Sequence, residues 1–336
     1  MKSFKYNNLL VTGGCGFIGS NFIDFIFNNY GNVKIYNLDK LTYAGSIDNT
    51  KKFNQNINYK LIIGDICDYE LVNTVFEKYH IDGVVNFAAE THVDNSIINP
   101  EEFIKTNING VFVLLNSCYK NWMKSPFIPK NNFNHSRFHQ ISTDEIYGSR
   151  IKGSFLESDK FFPNSPYSAS KASADLLVRS FTKTYGLNTT ISVSTNNFGI
   201  NQHSEKFIPK IIEKIMAGKS IPVYGDGNNI RDWIYVLDNC IAIDNIFQNS
   251  QKGESYNVGA GNELSNLELI EIIYAELRPL VNCKKKIKFV EDRFGHDFRY
   301  SINSNKIKID LGWSIKYDFK TSIQDYIKKY IGHHYI

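Results

Sequence analysis

A strand, a glycine turn and a helix in direct succession near the start of the chain constrain its fold most. Gly13, Gly16 and Gly19 follow the apolar run at residues 9–11, and residues 17–27 then carry apolar side chains at helical spacing. Such glycines let the backbone approach a pyrophosphate, and the helix N-terminus offers free N–H groups and the positive end of its dipole. The segment therefore favours a dinucleotide-binding βαβ unit over an ordinary strand-to-helix turn.

An acidic residue follows the glycines at the distance that dinucleotide sites use. Asp39 ends a predicted second strand, residues 33–38, and lies 20 residues after Gly19. A carboxylate there accepts hydrogen bonds from both hydroxyls of the adenosine ribose and repels a 2′-phosphate, so the sequence predicts NAD and not NADP. Asp65 follows the third predicted strand, where it is placed either to meet the adenine edge or to cap the next helix.

Apolar strands and amphipathic helices alternate through the first 197 residues. Strands are predicted at residues 9–11, 33–38, 59–63, 83–87, 138–142 and 189–194. Helices are predicted at residues 17–27, 69–79, 100–119 and 167–185, and residues 124–136 are predicted to form a surface loop. The alternation predicts an α/β fold, a Rossmann-type doubly wound parallel sheet with helices on both faces.

The texture of the sequence changes after residue 197. Gly, Asn and Pro become frequent, and helical patterns return at residues 266–277 and 321–330. We therefore predict two domains. Residues 1–197 form an NAD-binding domain that carries the catalytic residues, and residues 198–336 form a smaller mixed α/β lobe that mainly binds the substrate. Some exchange of chain between the two lobes is expected.

Composition excludes several classes of function. The 38 basic and 34 acidic residues leave a net charge of +4, too small an excess to predict binding of nucleic acid or of a membrane surface. No apolar stretch reaches the roughly 18 residues of a membrane span. The five cysteines are odd in number and form no C-x-x-C pair, so neither disulfides nor a zinc site is indicated. We predict a protein of the reduced cytoplasm.

Tyr167 and Lys171 are one helical turn apart and share a helix face. An ammonium group beside a phenol stabilises the phenolate and lowers the pKa of the tyrosine. Such a tyrosine can take a proton from a sugar hydroxyl while the carbon gives hydride to NAD. Thr143, at the end of the preceding strand, can hydrogen-bond the same hydroxyl. The spacing is common by chance, and a surface pair on the helix is the alternative.

Two adjacent carboxyl groups follow that strand. Asp144 and Glu145 are predicted on an extended segment, where neighbouring side chains point in different directions and can have different pKa values. Elimination of water requires a base at one carbon and an acid at the next. A solvated acidic loop is the alternative, but open α/β sheets have their sites at the carboxyl ends of strands, as here.

These motifs together resemble the nucleotide-sugar 4,6-dehydratases of the extended short-chain dehydrogenase/reductase family. The resemblance is carried by residues 12–20, 38–45, 87–94, 142–148, 167–172, 225–233 and 292–297, and it extends from residue 9 to about residue 313. It implies conversion of dTDP-glucose or UDP-glucose to the 4-keto-6-deoxy sugar and water through transient reduction of NAD, a step towards deoxysugars such as rhamnose. It also implies Glu145 as the base at C5, Asp144 as the acid on the C6 hydroxyl, and a homodimer.

The motifs and the resemblance define three sets of site residues. The catalytic set is Thr143, Asp144, Glu145, Tyr167 and Lys171. The cofactor set is Gly13, Gly16, Phe17, Ile18, Gly19, Asp39, Lys40, Leu41, Thr42, Asp65, Ile66, Phe87, Ala88, Ala89, Thr106, Tyr167, Lys171 and Asn197. The substrate set is Thr91, Thr143, Asn196, Lys206, Phe207, Ile208, Pro222, Tyr224, Arg231, Asn257, Arg293, His296 and Tyr300.

Two features of these sets have alternative interpretations. Arg231 is a candidate clamp for the pyrophosphate, since its guanidinium can bond phosphate oxygens bidentately, but a surface ion pair with Asp232 is the alternative. Glu90, His92 and Asp94 have a spacing that metal ligands could use, yet it fits a strand end or loop equally well. The resembled family has no metal, and we expect none here.

The resemblance leaves the nucleobase open. Asn95, Phe294 and Phe298 depart from the pattern usual for dTDP-glucose enzymes, and uracil differs from thymine by one methyl group. A nucleotide-sugar 4-epimerase would share the glycine turn and the Tyr–Lys pair but would not need the two adjacent carboxyl groups. An idle NAD-binding protein and an NADP-linked reductase are further alternatives, and Asp39 argues against the second.

Overall fold

The computed structural model describes residues 3–334, and within that range the chain forms fourteen strands and eleven α-helices. The strands β1–β14 are Asn8–Thr12, Lys34–Asp39, Tyr59–Ile63, Gly83–Asn86, Met123–Ser125, Ile128–Pro129, Arg137–Thr143, Thr189–Ser194, Asn196–Phe198, Ile221–Tyr224, Ile230–Tyr235, Ser255–Val258, Glu263–Ser265 and Ile287–Val290. The helices α1–α11 are Phe17–Asn29, Tyr69–Tyr79, Val93–Ile98, Pro100–Ile104, Val111–Trp122, Pro166–Tyr185, Phe207–Met216, Val236–Asn249, Asn266–Leu277, Asn305–Leu311 and Phe319–His334.

Seven parallel strands form the central sheet in the order β12-β8-β7-β4-β1-β2-β3. The register pairs Thr12 of β1 with Leu38 of β2 on one side and with Asn86 of β4 on the other. The chain runs outward from β1 to β3 and then crosses to β4, so the strand order reverses between β1 and β4. Their carboxyl ends flank the crevice in which doubly wound sheets bind ligands. The predicted fold class is confirmed.

Helices cover both faces of this sheet because its strands are apolar on both sides. Leu9 and Val11 of β1 are buried against α1 and α8, in a cluster that contains Phe22 and Phe247. Leu10, between them, faces the opposite side and packs with the cluster under α2, α5 and α6. Burial on both faces is the reason that the strands read as continuous apolar runs rather than alternating ones.

Most of the remaining chain forms a smaller lobe. Strands β9, β11 and β13 make one sheet, and β10 pairs with β14 in another. Ile211 of α7, Leu269 of α9 and Ile327 of α11 are buried together in a separate core. No helix within residues 3–334 combines the length and the apolar character needed to cross a membrane.

Two elements from the C-terminal half lie in the first lobe. Strand β12 pairs in parallel with β8 at the edge of the central sheet, and α8 packs on α1. The sequence gives little sign of β12, since this strand has only four residues and two of them, Ser255 and Asn257, are polar. The division of the chain at residue 197 stays a prediction.

Helices α2 and α9 have the predicted bounds, whereas the helix predicted over residues 100–119 is interrupted. Helix α4 ends at Ile104, a π-helical segment spans Lys105–Gly110, and α5 starts at Val111. Asn107 in that segment accepts the Glu90 N–H at 2.9 Å and donates to the Glu90 carbonyl at 3.1 Å. Periodicity does not reveal such a long-range bond, and π-helical turns often occur at functional sites. The loop predicted at residues 124–136 contains part of the β5–β6 hairpin.

Candidate active site

The glycine turn is packed so tightly that side chains would not fit. Gly13 has a φ of 68°, and a Cβ there would lie 2.7 Å from the amide nitrogen of Ala88, in the loop after β4. A Cβ on Gly19 would lie 2.5 Å from the carbonyl oxygen of Gly13. The glycine turn therefore packs directly on the loop after β4, and the first turn of α1 packs on the glycine turn. The helix N-terminus is open towards the crevice between β1 and β4.

Asp39 is fixed at the carboxyl end of β2 by two backbone N–H groups. One carboxylate oxygen accepts from Cys15 and the other from Leu41, each at 2.8 Å. Burial raises the pKa of this carboxyl group, and the two N–H bonds oppose the shift. Each oxygen keeps a further acceptor position, so the group can receive two ribose hydroxyls. Lys40 next to it pairs with Asp65 at 2.9 Å.

One cavity at this edge of the sheet brings most predicted site residues together. All five residues of the catalytic set line it. From the cofactor set it also contains Gly13, Gly16, Phe17, Ile18, Gly19, Asp39, Lys40, Thr42, Asp65, Ile66, Phe87, Ala88, Ala89, Thr106 and Asn197. From the substrate set it also contains Thr91, Asn196, Lys206 and Phe207. Leu41 is outside this wall and contributes its N–H to Asp39.

Tyr167 and Lys171 lie in the first two turns of α6, which starts at Pro166 behind a capping box formed by Ser165 and Ser168. The Lys171 Nζ donates to the Ile141 carbonyl at 2.6 Å. Burial lowers the pKa of Lys171 to about 8, and the Asp175 carboxylate opposes that shift.

In this structure Lys171 does not bring the pKa of Tyr167 below its usual value. Burial raises the pKa of Tyr167, the Glu145 charge raises it further, and a hydrogen bond with Thr143 opposes the rise. The physical reason is that Lys171 is bonded to a main-chain carbonyl of β7.

Asp144 and Glu145 occupy the start of a 3₁₀ helix, Asp144–Tyr147, and not the extended segment that was predicted. Three residues per turn still point the two side chains about 120° apart. Asp144 is 3% exposed, and its Oδ2 has no hydrogen-bond partner among the described residues. Burial and then the Glu145 charge hold the pKa of Asp144 well above its usual range. Asp144 therefore favours its protonated form.

Glu145 has a different electrostatic environment. Burial raises its pKa as well, but the guanidinium groups of Arg293 and Arg231 oppose the shift. Its Oε2 lies 3.5 Å from the Tyr300 hydroxyl. Two neighbouring carboxyl groups with unequal surroundings are the arrangement that assigns one to an acid and the other to a base.

Arg231 is buried beside this pair. Its guanidinium stacks over the Tyr300 ring at 4.1 Å and donates to the main-chain oxygen of Asp297 at 2.9 Å. The alternative ion pair with Asp232 is not formed, because that carboxylate accepts N–H groups of the loop after β12, including that of Asn262 at 2.7 Å. Arg231 thus projects its positive charge towards the carboxyl pair.

The outer part of the substrate set forms a cluster around Asp94. Its carboxylate accepts from the Tyr224 hydroxyl at 3.0 Å and lies 3.3 Å from an Arg293 nitrogen. The ring of His296 is 6.1 Å from that of Tyr224. Pro222 precedes Tyr224 by two residues on β10, so these side chains share one region of the small lobe.

Eight residues of the substrate set do not line this cavity, and the side chains of two of them, Asn257 and Ile208, are engaged elsewhere in the fold. Asn257 is fully buried on β12, where its amide accepts from the Tyr147 hydroxyl and donates to the Phe155 carbonyl, both at 3.0 Å. Ile208 is fully buried in the core of the small lobe. The side chains of Asn257 and Ile208 thus hold the fold together and do not face the cavity.

Glu205, which precedes Lys206 at the start of α7, is a site residue that the sequence motifs do not predict. Its carboxylate lies 3.6 Å from the Lys206 Nζ and 3.9 Å and 3.8 Å from ring nitrogens of His92 and His203. The Lys206 Nζ also donates to the Thr91 carbonyl at 3.0 Å. The position of Glu205 next to a predicted substrate residue was the signal that could have found it.

Glu90, His92 and Asp94 do not come together as a ligand set. Asp94 binds Tyr224 and Arg293, whereas the imidazole of His92 faces Glu205 and caps α3. Within residues 3–334, no three His, Cys, Asp or Glu side chains are grouped so as to hold a metal ion.

A phosphate-binding turn, an acid placed for a ribose and a buried Tyr–Lys pair beside two unequal carboxyl groups define a class of protein. The chain is an enzyme of the extended short-chain dehydrogenase/reductase type that combines a dinucleotide with acid–base chemistry. It belongs to the GDP-mannose 4,6 dehydratase family, which matches residues 10–326. The predicted family, the nucleotide-sugar 4,6-dehydratases, is confirmed, and with it a nucleotide-sugar substrate.

Several known proteins are similar over nearly the whole chain. The low-salt glycan biosynthesis protein Agl12 of Haloferax volcanii is 45% identical, covering 97% of this chain and 99% of that protein. A dTDP-glucose 4,6-dehydratase of Escherichia coli is 42% identical, covering 96% and 93%. The crystal structure of the dTDP-glucose 4,6-dehydratase DesIV from Streptomyces venezuelae, with NAD bound, superposes with a TM-score of 0.89 at 36% identity, covering 97% of each chain.

Proposed function

We propose that this chain is an NAD-dependent dTDP-glucose 4,6-dehydratase, which converts dTDP-glucose to dTDP-4-keto-6-deoxyglucose and water. The observation that carries the proposal is the pair of carboxyl groups, buried Asp144 and half-buried Glu145, in one cavity with Tyr167. An epimerase needs acid–base chemistry only at the C4 hydroxyl, and the tyrosine supplies it. It therefore has no use for an acid and a base at adjacent carbons. Relatives described as dTDP-glucose 4,6-dehydratases support the choice of nucleotide.

The residues around the crevice fit NAD. The free N–H groups at the start of α1 suit the pyrophosphate, and the remaining acceptor positions of Asp39 suit the two adenosine ribose hydroxyls. The negative charge of Asp39 disfavours a 2′-phosphate. When bound, NAD supplies the hydride acceptor for C4 and the hydride donor for C6, with no net oxidation.

In the first step we assign the C4 hydroxyl to Tyr167. In its ionised form, the Tyr167 Oη takes the hydroxyl proton, and Thr143, hydrogen-bonded to the same side chain, orients the sugar oxygen. Lys171 supplies a positive charge one turn away that favours the transfer. The carbonyl then formed at C4 makes the C5 proton acidic.

In the elimination, Glu145 takes the C5 proton and Asp144 gives its proton to the departing C6 hydroxyl. One water leaves, made of that hydroxyl and the Asp144 proton. The assignment follows the electrostatics: cationic Arg293 and Arg231 favour ionised Glu145, whereas burial favours protonated Asp144. Glu145 returns its proton to C5 after hydride reaches C6.

We assign three cationic side chains to the diphosphate of the substrate. We assign the cluster around Asp94 to its nucleobase. Arg231, Lys206 and Arg293 line or adjoin the cavity on the small-lobe side. In α7, the Lys210 N–H makes the first intrahelical bond, to the Lys206 carbonyl, so the N–H groups of Phe207 and Ile208 are available to phosphate oxygens. Tyr224 and the Pro222 backbone are the proposed wall of the base pocket.

We further propose a homodimer, the two-domain division at residue 197, and a reducing compartment, the cytoplasm. Exposed apolar side chains on the helical face of the large lobe support the dimer, namely Ile104, Phe112 and Leu176. All five cysteines are free thiols, which supports the reducing compartment.

The test is a product assay with dTDP-glucose and UDP-glucose in separate incubations, without added reductant. Mass spectrometry and NMR identify the products, and the Asp144→Asn variant is compared with the exposed control Asp48→Asn. We expect the wild type to remove one water and form a 4-keto-6-deoxy sugar. This activity should be lost in Asp144→Asn and kept in Asp48→Asn. Faster turnover of UDP-glucose would change the assigned nucleobase from thymine to uracil. The two bases differ by one methyl group, which contributes only about 1–3 kcal/mol of binding free energy in a pocket. Inversion at C4 without loss of water would refute the dehydratase.

A further inference from the structure

A buried carboxylate next to the proposed base has no part in the mechanism above. Asp297 is 5% exposed and lies between Arg293 and Tyr300 in the chain. Its Oδ2 accepts from the Tyr300 hydroxyl at 3.0 Å, and its Oδ1 accepts from the Asn164 amide at 2.6 Å. Because both oxygens of this buried carboxylate accept hydrogen bonds, its orientation is fixed.

The Tyr300 hydroxyl lies between two carboxylates. It is 3.0 Å from Asp297 Oδ2 and 3.5 Å from Glu145 Oε2. A hydroxyl has one proton to donate, and the shorter distance gives it to Asp297. A lone pair of the phenolic oxygen is then directed towards Glu145. The ring cannot turn away easily, because it is 3% exposed and packed under the Arg231 guanidinium.

We propose that Asp297 is a positioning residue for the elimination step: it holds the Tyr300 hydroxyl proton and so leaves Glu145 without a donor and ready to accept the C5 proton. Once protonated, Glu145 can donate to the Tyr300 oxygen, whose own proton stays on the Asp297 side. No proton is transferred to Asp297, and the proton on Glu145 is returned to C5. The inference rests on the proposed function for the role of Glu145 as base.

The charges around Glu145 make this arrangement consequential. Three cations face Glu145: Arg293, Arg231 and Lys206. They favour the ionised carboxylate and so lower its affinity for a proton. The groups that act in the opposite direction are Asp297 and, on its own loop and on α6, Asp144 and Tyr167. If Tyr300 donated to Glu145 as well, the carboxylate would be further stabilised and would be a poorer base.

The test measures the protonation midpoint of Glu145 directly in the full-length protein. Infrared difference spectra between each protein and its Glu145→Gln counterpart isolate the Glu145 carboxyl band, which is followed against pH. In Asp297→Asn, we expect the proton affinity of Glu145 to fall about tenfold. With dTDP-glucose, the acidic limb of the kcat profile should move to lower pH while KM stays unchanged.

A double-mutant cycle tests whether Asp297 acts through Tyr300. In a Tyr300→Phe background, which keeps the ring under Arg231, the Asp297→Asn change should lower the Glu145 midpoint clearly less than it does with Tyr300 present, because only the direct effect of the Asp297 charge remains. The matched control is Asp310→Asn, an exposed carboxylate that accepts from the Tyr256 hydroxyl at 3.3 Å, away from the cavity. It should leave the Glu145 midpoint and the pH profile as they are.

Three outcomes decide the inference. An unchanged midpoint in Asp297→Asn, or the same shift with and without the Tyr300 hydroxyl, overturns it. If Asp297→Asn folds poorly, Tyr300→Phe alone must lower the midpoint, because protonated Glu145 loses its acceptor. The infrared titration needs no turnover, so absence of dehydration by the wild-type enzyme would overturn the proposed function and still leave this measurement to be read.

Discussion

At the scale of single residues, Asp144 combines catalytic use with a cost in stability. Its carboxyl group is buried, lacks a partner at Oδ2 and faces the Glu145 charge, and its pKa is therefore well above the usual range. A carboxyl with a raised folded-state pKa contributes fully to stability below the unfolded-state pKa, and the contribution is lost as pH rises through the folded-state value. Asp144 thus weakens the fold most at neutral and alkaline pH.

The Asp144→Asn variant should separate the two effects. An amide of the same shape carries no charge and gives no proton, so we expect kcat to fall about 10²–10⁴-fold and Tm to rise at neutral pH. At about pH 3, below the usual carboxyl pKa, the rise in Tm should vanish. Calorimetry at both pH values measures it, with Asp48→Asn as control. An equal rise at both pH values would contradict the explanation.

Asp175 is placed to keep Lys171 charged. It lies one turn further along α6, is fully buried, and accepts from the Ser142 hydroxyl at 2.5 Å. Burial raises the pKa of Asp175 to about 6, and the Ser142 bond and the charges of Lys171 and Arg179 oppose the rise. Above that value its carboxylate raises the pKa of Lys171, which burial brings down to about 8.

Replacing Asp175 by Asn should therefore shift the alkaline limb of the rate profile. Without the carboxylate the pKa of Lys171 falls further below about 8, so activity is lost at lower pH than in the wild type. The kcat profile measures the shift, and Asp159→Asn on the surface serves as control. An alkaline limb at the wild-type pH in Asp175→Asn would show that Lys171 does not control it.

These residues mark how far a site can be predicted from its sequence. The spacing after the glycines found Asp39, and the strand end found Asp144 and Glu145, because both signals are local. Asp175 and Asp297 each also have a hydrogen-bond partner on an element distant in the chain, Ser142 for Asp175 and Asn164 for Asp297. No local pattern contains that information.

At the scale of elements, the strand–turn–helix unit is the most predictable part of the molecule. Gly13 requires a positive φ and a missing Cβ at once, since its φ is 68° and Ala88 N would lie 2.7 Å from the Cβ. Few residue types satisfy both demands, so the position is recognisable in a single sequence. Helix boundaries that depend on a distant partner, as at Asn107, are not.

Gly13→Ala and Gly153→Ala form a matched pair that separates the two demands. Gly153 also has a positive φ, 75°, but nothing within 4 Å of its Cβ position. In both variants the free energy of unfolding should fall by about 1–2 kcal/mol, because alanine is strained at a positive φ. Only Gly13→Ala should also lose bound NAD, because the turn and the loop after β4 must separate. Absorbance of released cofactor and thermal unfolding measure both effects, and equal retention of NAD would contradict the prediction.

At the scale of the whole molecule, the chain crosses between its lobes more than once. It leaves the central sheet after β8, forms β9 to β11 in the small lobe, returns for α8 and β12, and leaves again. These crossings tie the small lobe to the edge of the sheet, beside the cavity. The return of the chain to the central sheet was not predicted, because β12 is short and partly polar. The alternation of strands and helices before residue 197 was long enough to predict the other strands of the sheet.

The surface of the large lobe carries the last prediction. Leu176 is 56% exposed in the middle of α6, and Ile104 and Phe112 are exposed on the neighbouring segments. In a homodimer through this face, Leu176→Glu would place a charge in an apolar contact, and we expect the protein to elute at the mass of one chain. Ile309→Glu is the control, since Ile309 is 81% exposed on α10, which packs on α8 and β12, and should leave the dimer intact.

Light scattering during gel filtration measures the mass directly. All cavity residues described above belong to one chain, so the Leu176→Glu monomer should still bind NAD and turn over substrate while it stays folded. Its lower stability should appear as a Tm that no longer depends on protein concentration, because mass action stabilises only the dimer. A dimer that persists in Leu176→Glu would place the interface elsewhere, and a monomeric wild type would rule it out.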